Sequence, residues 1–254
     1  MKTNKIFFNG CSYTVGIGAS EALPDMYDLR YSKLLCDRLG AEEDNIAVQG
    51  SCNNRIARST FNHLLDPANR CDLAIVMWSD PSRTEIDHGS SDKDPLSQIT
   101  PQGIDKFKRG SSGIEEALEF YYGFLVSPGR QIHQTLQDMI SVEVLCKYLE
   151  IPIIHMHYKE NTNRLCRHAL LDTERMRSAK RAELMRNYIH STVDKLEKNP
   201  HCFGFSKNLS FNTLIRERGF KGSLYCGGHP SAESYKMMAD WFYDYITKEE
   251  LFTN

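Results

Sequence analysis

Short apolar runs alternate with longer amphipathic stretches along most of the chain. Lys5-Ile6-Phe7-Phe8 closes on Asn9-Gly10, which predicts a buried strand over residues 4–9. Leu29, Leu34, Leu35 and Leu39 then recur at helical spacing ahead of Gly40, predicting a helix over 26–39 that stops at the glycine. Asn45-Ile46-Ala47-Val48 reads as a second strand. Residues 53–65 read as a helix with Ile56, Phe61, Leu64 and Leu65 turned inward. Residues 72–78, Asp-Leu-Ala-Ile-Val-Met-Trp, form a buried third strand. Helices are predicted over 113–125 and 129–149, and a fourth strand over 151–156. The charged stretch 166–198 repeats Leu170, Leu171, Met176, Leu184, Tyr188, Ile189, Val193 and Leu196, a helical region packed along one side. No element is assigned to 201–220. Tyr235, Met238, Ala239, Phe242, Tyr245 and Ile246 mark a last helix over 232–246, with Ser231 as its N-cap and Glu233 in its positive first turn.

Strands alternating with helices predict an α/β fold, a three-layer sandwich whose central parallel sheet is covered on both faces. The expected organisation is one domain over 1–254. It carries a loop-rich insertion near 79–112 with little regular structure and a charged helical region near 157–200. Ligands of such sheets bind at the carboxyl ends of the strands, which selects residues 9–18, 49–55, 79–85 and 157–163.

Composition narrows the function classes. The chain has 254 residues, 41% hydrophobic and 25% charged, with a formal net charge of -2. That balance gives no global field for nucleic acid or an anionic membrane, so neither partner is expected. No apolar run approaches the ~20 residues of a membrane span, and the apolar part of the N-terminus is too short for a signal-peptide core. A cytoplasmic location is therefore expected. The 8 cysteines include no C-x-x-C pair. They are expected to be reduced, partly buried thiols, with no metal site.

Chemistry-bearing residues cluster after the predicted strands. Ser12 lies two residues beyond Gly10, at the sheet's carboxyl edge, where its hydroxyl and backbone N–H can face one cleft. A serine nucleophile needs a base for its proton and donors for the oxyanion. In the second segment Gly50 allows close backbone approach, and Asn53 offers an amide donor or an N-cap. In the third, Ser79 can donate to an oxyanion, while Asp80, Arg83 and Glu85 can form an ion-pair network that shapes the loop. His229, on the glycine-flanked loop before the last helix, is the candidate general base. Gly10, Gly16 and Gly18 do not form G-x-G-x-x-G, and no Lys-Ser/Thr follows, so a phosphate-binding loop is disfavoured.

Taken in order, Gly10-Cys11-Ser12-Tyr13-Thr14, Gly50-Ser51-Cys52-Asn53, Met77-Trp78-Ser79-Asp80 and His229-Pro230-Ser231 resemble the four blocks of the SGNH (GDSL-like) hydrolase superfamily. The Asn-Arg-Ile after the second block is similar to a divergent branch seen among phage and bacterial proteins. The resemblance implies a flavodoxin-like SGNH fold and a serine esterase removing an O-acyl, typically O-acetyl, group through an acyl-Ser12 intermediate. Ser12 and His229 would be catalytic, with Ser12, Gly50, Asn53 and Ser79 around the oxyanion. The implied partner is a small-molecule or carbohydrate ester, and no cofactor is required. Two positions depart from the pattern. Ser79 stands where the family has an oxyanion asparagine, and Cys226 stands where it has the triad acid, three residues before the histidine. Asp80 is then a candidate orienting acid, and a Ser-His dyad is the alternative. The same scaffold also serves acyltransferases, and a degenerate site would leave a ligand- or partner-binding domain.

Overall fold

The computed structural model describes residues 4–17, 26–87, 96–99, 128–158, 170, 178–203, 210–217, 225–226 and 229–251. In chain order these form β1 (Lys5–Asn9), α1 (Ser12–Val15), a 3-10 turn (Met26–Leu29), α2 (Tyr31–Leu39), β2 (Glu42–Asn45), α3 (Asn53–Leu64), a second 3-10 turn (Pro67–Asn69), β3 (Leu73–Trp78), β4 (Thr84–Asp87) and β5 (Leu96–Ile99). There follow α4 (Pro128–Tyr148), β6 (Ile153–His157), α5 (Ala179–Lys198), α6 (Phe211–Glu217), β7 (Tyr225–Cys226), β8 (His229–Pro230) and α7 (Ala232–Lys248).

The central sheet is parallel, in the order β2-β1-β3-β6. Cys202 extends it beyond β6 by a parallel bridge to His155. Alternation along the inner strands deals side chains to two cores. Ile6, Phe8, Leu73, Ile75, Met77, Ile154 and Met156 face α2, α6 and α7. Phe7, Ala74, Val76, Trp78 and Ile153 face α3, α4 and α5. All six residues of β3 are buried, as a strand covered on both faces requires. The predicted three-layer α/β architecture is therefore the observed one.

Four local expectations change. The second strand is Glu42-Glu43-Asp44-Asn45 and not the apolar run after it. As an edge strand it needs no apolar face, and its polar side chains are matched. Arg30 grips Glu43 with two bonds of 2.8 and 2.6 Å, and His63 Nε2 lies 2.7 Å from Asp44. The insertion holds an antiparallel pair, β4 on β5, where little regular structure was expected. Leu65 and Leu184 are exposed; the buried stripe of α5 keeps Ile189 and Leu196 of the predicted set and adds Ala182. Phe211–Glu217 is helical within a stretch given no element. The helix predicted over 113–125 lies outside the described residues. As expected, α3 starts at Asn53, Gly40 closes α2 at φ 65°, and the Ser231 hydroxyl accepts from the Ser234 N–H at the start of α7. Leu171 and Met176 of the predicted charged helical region lie outside the described residues.

A chain of polar groups crosses the core beside β3 and β6. His155 is fully buried on β6, on the face it shares with His157. Trp78 Nε1 donates to His155 Nδ1 at 3.0 Å. An indole N–H can only donate, so Nδ1 is the acceptor and the ring proton sits on Nε2, 2.9 Å from Glu143 Oε2. Asn199 donates to the same carboxylate oxygen at 2.7 Å. Burial alone would raise the Glu143 carboxyl, but hydrogen bonds from His155 and Asn199 hold it below its ordinary value. Trp78→Phe would leave Nδ1 buried without a donor. That substitution is expected to cost about 1–3 kcal/mol, read as a lower urea midpoint at unchanged m-value.

Candidate active site

Neighbour order in the sheet reverses at β1, which has β2 on one side and β3 on the other. In open parallel sheets that switch point opens a crevice at the carboxyl ends of the two strands. Ser12 follows β1 there and Ser79 follows β3. Ser12 is the first residue of the single-turn helix α1, where a backbone N–H has no partner within the helix. The turn is closed by Gly16 at φ 93°, whose N–H reaches the Ser12 carbonyl at 3.1 Å. Close packing forces a glycine at position 10: a Cβ there would overlap Thr14 Oγ1 and come within 2.9 Å of the Met77 carbonyl. Asn9 anchors the end of β1, donating to the Ile56 carbonyl at 2.9 Å and accepting the Gly10 N–H at 2.8 Å.

The other candidates reach this edge in different ways. Gly50 has φ 81°, a left-handed turn suited to glycine, and Val48 N–H two residues earlier reaches the Gly10 carbonyl at 3.4 Å. Asn53 holds the Ser79 peptide from both sides, accepting its N–H at 2.7 Å and donating to its carbonyl at 3.1 Å. Its amide also donates to Thr135 Oγ1 at 2.9 Å. In this arrangement both N–H donors of the Asn53 amide, which the sequence analysis offers to an oxyanion, are bonded to the Ser79 carbonyl and Thr135 Oγ1. The Ser79 hydroxyl is buried and has no hydrogen-bond partner among the described residues.

His229 lies half-buried on β8, and its ring meets that of Tyr13, the residue after Ser12, at 6.1 Å between centroids. Tyr235 of α7 ties the same region together, donating to the Ile17 carbonyl at 3.0 Å. The segments bearing Ser12 and His229 are thereby neighbours. Cys226 is the backbone partner of His229 across the β7–β8 pair. Asp80 accepts from the Ser82 N–H and hydroxyl at 2.9 and 2.7 Å and from the Tyr158 hydroxyl at 3.3 Å. Tyr158 packs edge-on against Tyr13 at 5.0 Å, so two aromatic rings link Asp80 to His229. No ion pair joining Asp80, Arg83 and Glu85 into the expected network is seen among the described residues. Glu85 pairs with Arg58 at 2.6 and 3.1 Å, and Arg83 lies 5.8 Å over the Tyr158 ring.

No protein-family model matches the sequence, and neither does any curated protein. Solved structures do match. A protein of the G-D-S-L family, described as lipolytic, from Desulfitobacterium hafniense DCB-2 superposes with a TM-score of 0.50 at 13% identity, covering 95% of this chain and 99% of its own. TesA gives a TM-score of 0.52 at 11% identity, over 98% of this chain and 100% of its own. A family two carbohydrate esterase from Clostridium thermocellum, in complex with cellohexaose, gives 0.50 at 13% identity, over 99% of this chain and 67% of its own. The fold is that of the SGNH hydrolases.

In this SGNH fold a cavity of about 370 Å³ opens beside β3, between the start of α3, the turn before β4 and the first turns of α4. Asn53 and Thr135 line it, so it shares a wall with the Ser79 clamp. Asp138 lines it too, buried, with Asn54 Nδ2 at 3.2 Å and Gln134 Nε2 at 3.1 Å. The α4 residues here were not singled out in the sequence, although a signal existed. Gln131, Gln134, Thr135 and Asp138 fall at i, i+3, i+4 and i+7, a polar stripe on a helix whose other face is core. No group of three or more potential metal ligands occurs among the described residues, and no described helix is long and apolar enough to cross a membrane.

Burial pushes the Asp138 carboxyl up to about 6. Because its folded value is raised, the ionisation penalty is absent below the ordinary 3.8 and complete above about 6. The penalty is on the order of 3 kcal/mol at most. Asp138→Asn is therefore expected to raise the melting temperature at pH 8 and to leave it nearly unchanged at pH 3.5, as measured by thermal unfolding at the two pH values.

Proposed function

We propose that the protein is an SGNH-type serine esterase that removes an O-acyl, in the first instance O-acetyl, group. Ser12 Oγ attacks the acyl carbonyl carbon, and its proton passes to His229. The amide N–H groups of Ser12 and Gly50 and the Ser79 hydroxyl hold the resulting oxyanion, with Asn53 acting through the Ser79 peptide. The C–O bond to the alcohol then breaks, and the alcohol leaves with the proton from His229. Water attacks acyl-Ser12 and gives its proton to His229. The carboxylic acid departs and Ser12 recovers its proton.

The observation that carries this reading is the contact of the Tyr13 and His229 rings, which joins the turn after β1 to the loop before α7 at the switch point. Carbohydrate esters are the first substrates to try, because the similar Clostridium thermocellum esterase was solved with cellohexaose. Cys226 supports a second reading. A thiol is not the carboxylate that the SGNH pattern places three residues before the histidine, and loss of the acid in serine proteases lowers kcat about 10⁴-fold. An SGNH domain that binds a ligand without turnover would tolerate that loss.

Fluorophosphonate labelling followed by intact mass, beside p-nitrophenyl acetate hydrolysis, separates the two. One adduct is expected on the unmutated protein and none on Ser12→Ala. His229→Ala is expected to slow labelling and turnover by about 10²–10⁴-fold. Full labelling of Ser12→Ala would refute the nucleophile assignment. An unmutated protein showing neither adduct nor turnover would favour the binding reading.

A further inference from the structure

The cavity beside β3 is about 370 Å³ in volume, within the roughly 300–1,000 Å³ of small-molecule sites, and nine of its ten described lining residues carry polar side chains. Two features of that lining stand out. Asp138, in its wall, is buried, and among the described residues the bonds to its carboxylate come from the side-chain amides of Asn54 and Gln134, not from a cation. A carboxylate oxygen accepts about two hydrogen bonds, so acceptor capacity remains for hydroxyl groups. Arg83, half-buried, donates one long bond of 3.4 Å to the Ser51 carbonyl and rests over Tyr158. Most of its five N–H donors are left for a planar anion, which a guanidinium binds in a two-bond fork.

We propose that this cavity is a binding site for an acidic, hydroxyl-bearing small molecule such as a sugar acid, with its anionic group on Arg83 and its hydroxyls on Asp138, Asn54 and Gln134. Arg83 brings to the same lining as the Asp138 carboxylate the positive charge that an anionic group requires. Burial raises the Asp138 carboxyl to about 6, so near neutral pH it is an ionised, desolvated acceptor whose charge hydroxyl donors would stabilise. The amide-rich wall fits the same chemistry: amides both donate and accept, as vicinal hydroxyls do. Asn53 and Thr135 also line the cavity, so an occupant would lie one side chain from the Ser79 peptide.

The assignment does not rest on the esterase reading and is tested apart from it. Isothermal titration calorimetry would be run with D-glucuronate, D-glucose and acetate, on the unmutated protein and on Ser12→Ala. Saturable glucuronate binding is expected on both, at least tenfold tighter than glucose or acetate. Arg83→Gln is expected to weaken glucuronate at least tenfold and glucose little. Gln134 is exposed, so Gln134→Glu should fold normally while placing a second carboxylate at the mouth, and it is expected to weaken glucuronate several-fold. Absence of saturable heat at millimolar glucuronate would overturn the proposal. So would equal affinity for glucuronate and acetate, or glucuronate binding unchanged in both variants. Glucuronate binding by a protein that takes no fluorophosphonate would keep the cavity assignment and remove the esterase reading.

Discussion

The parallel register of β1 on β3, with Asn9 opposite Val76, is the constraint from which both core and site follow. In that register β1 ends at Asn9 and β3 two residues further on, at Trp78, so the chain leaves both of them near one edge of the sheet. Ser12 and Ser79 each come three residues after that last paired position. The closeness is physical: nothing larger than glycine fits at position 10, because the Met77 carbonyl of β3 occupies the space. The same register sorts the side chains between two cores, one under α2 and α7 and the other under α3 and α4. A slip of one residue would exchange the two faces of β1 and carry the serine away from its neighbours.

The strands buried on both faces were legible because their apolar residues leave few alternatives. Leu73–Trp78 and Ile153–His157 lie where the apolar runs predict them. The edge strand was not legible. Glu42–Asn45 is held by backbone pairing to β1 and by Arg30 and His63, partners distant in sequence. The same reason hid the working arrangement of the site. Ser12, Gly50, Ser79 and His229 were named from their places after strands and before a helix. That Asn53 would spend its amide on the Ser79 peptide depends on how α3 and α4 approach β3, and no spacing along the chain expresses that. The Tyr13–Tyr158 contact that leads back to Asp80 is of the same kind, a packing relation across the sheet. The polar stripe on α4 was readable but has no meaning until α3 and β3 supply the opposite wall.

The edge also shows how the protein handles buried polar groups. Asn9 and Asn53 each use a short side-chain amide to satisfy backbone groups of a neighbouring segment, Asn9 at the end of β1 and Asn53 at the end of β3. An amide that both donates and accepts replaces the sheet hydrogen bonds that end where the strands end. The carboxyl edge is thereby rigid without continuing the sheet. Against this background the Ser79 hydroxyl and the raised carboxyl of Asp138 are conspicuous, since among the described residues the one has no hydrogen-bond partner and the other no salt-bridge partner.

The indole of Trp78 has a bearing beyond packing. The chain has two tryptophans, and Trp78 is the fully buried one, clasped by a histidine and adjacent in sequence to Ser79. An indole in that setting is shielded from water, and its light emission is sensitive to the imidazole bonded to it. The second, Trp241, stacks on Tyr245 in α7, on the other side of the sheet. Nature has therefore built a native optical probe into the strand that ends at the crevice, with a reference chromophore on the opposite face. Disturbance at the carboxyl end of β3 can be followed in the unlabelled protein through the colour and intensity of its own fluorescence.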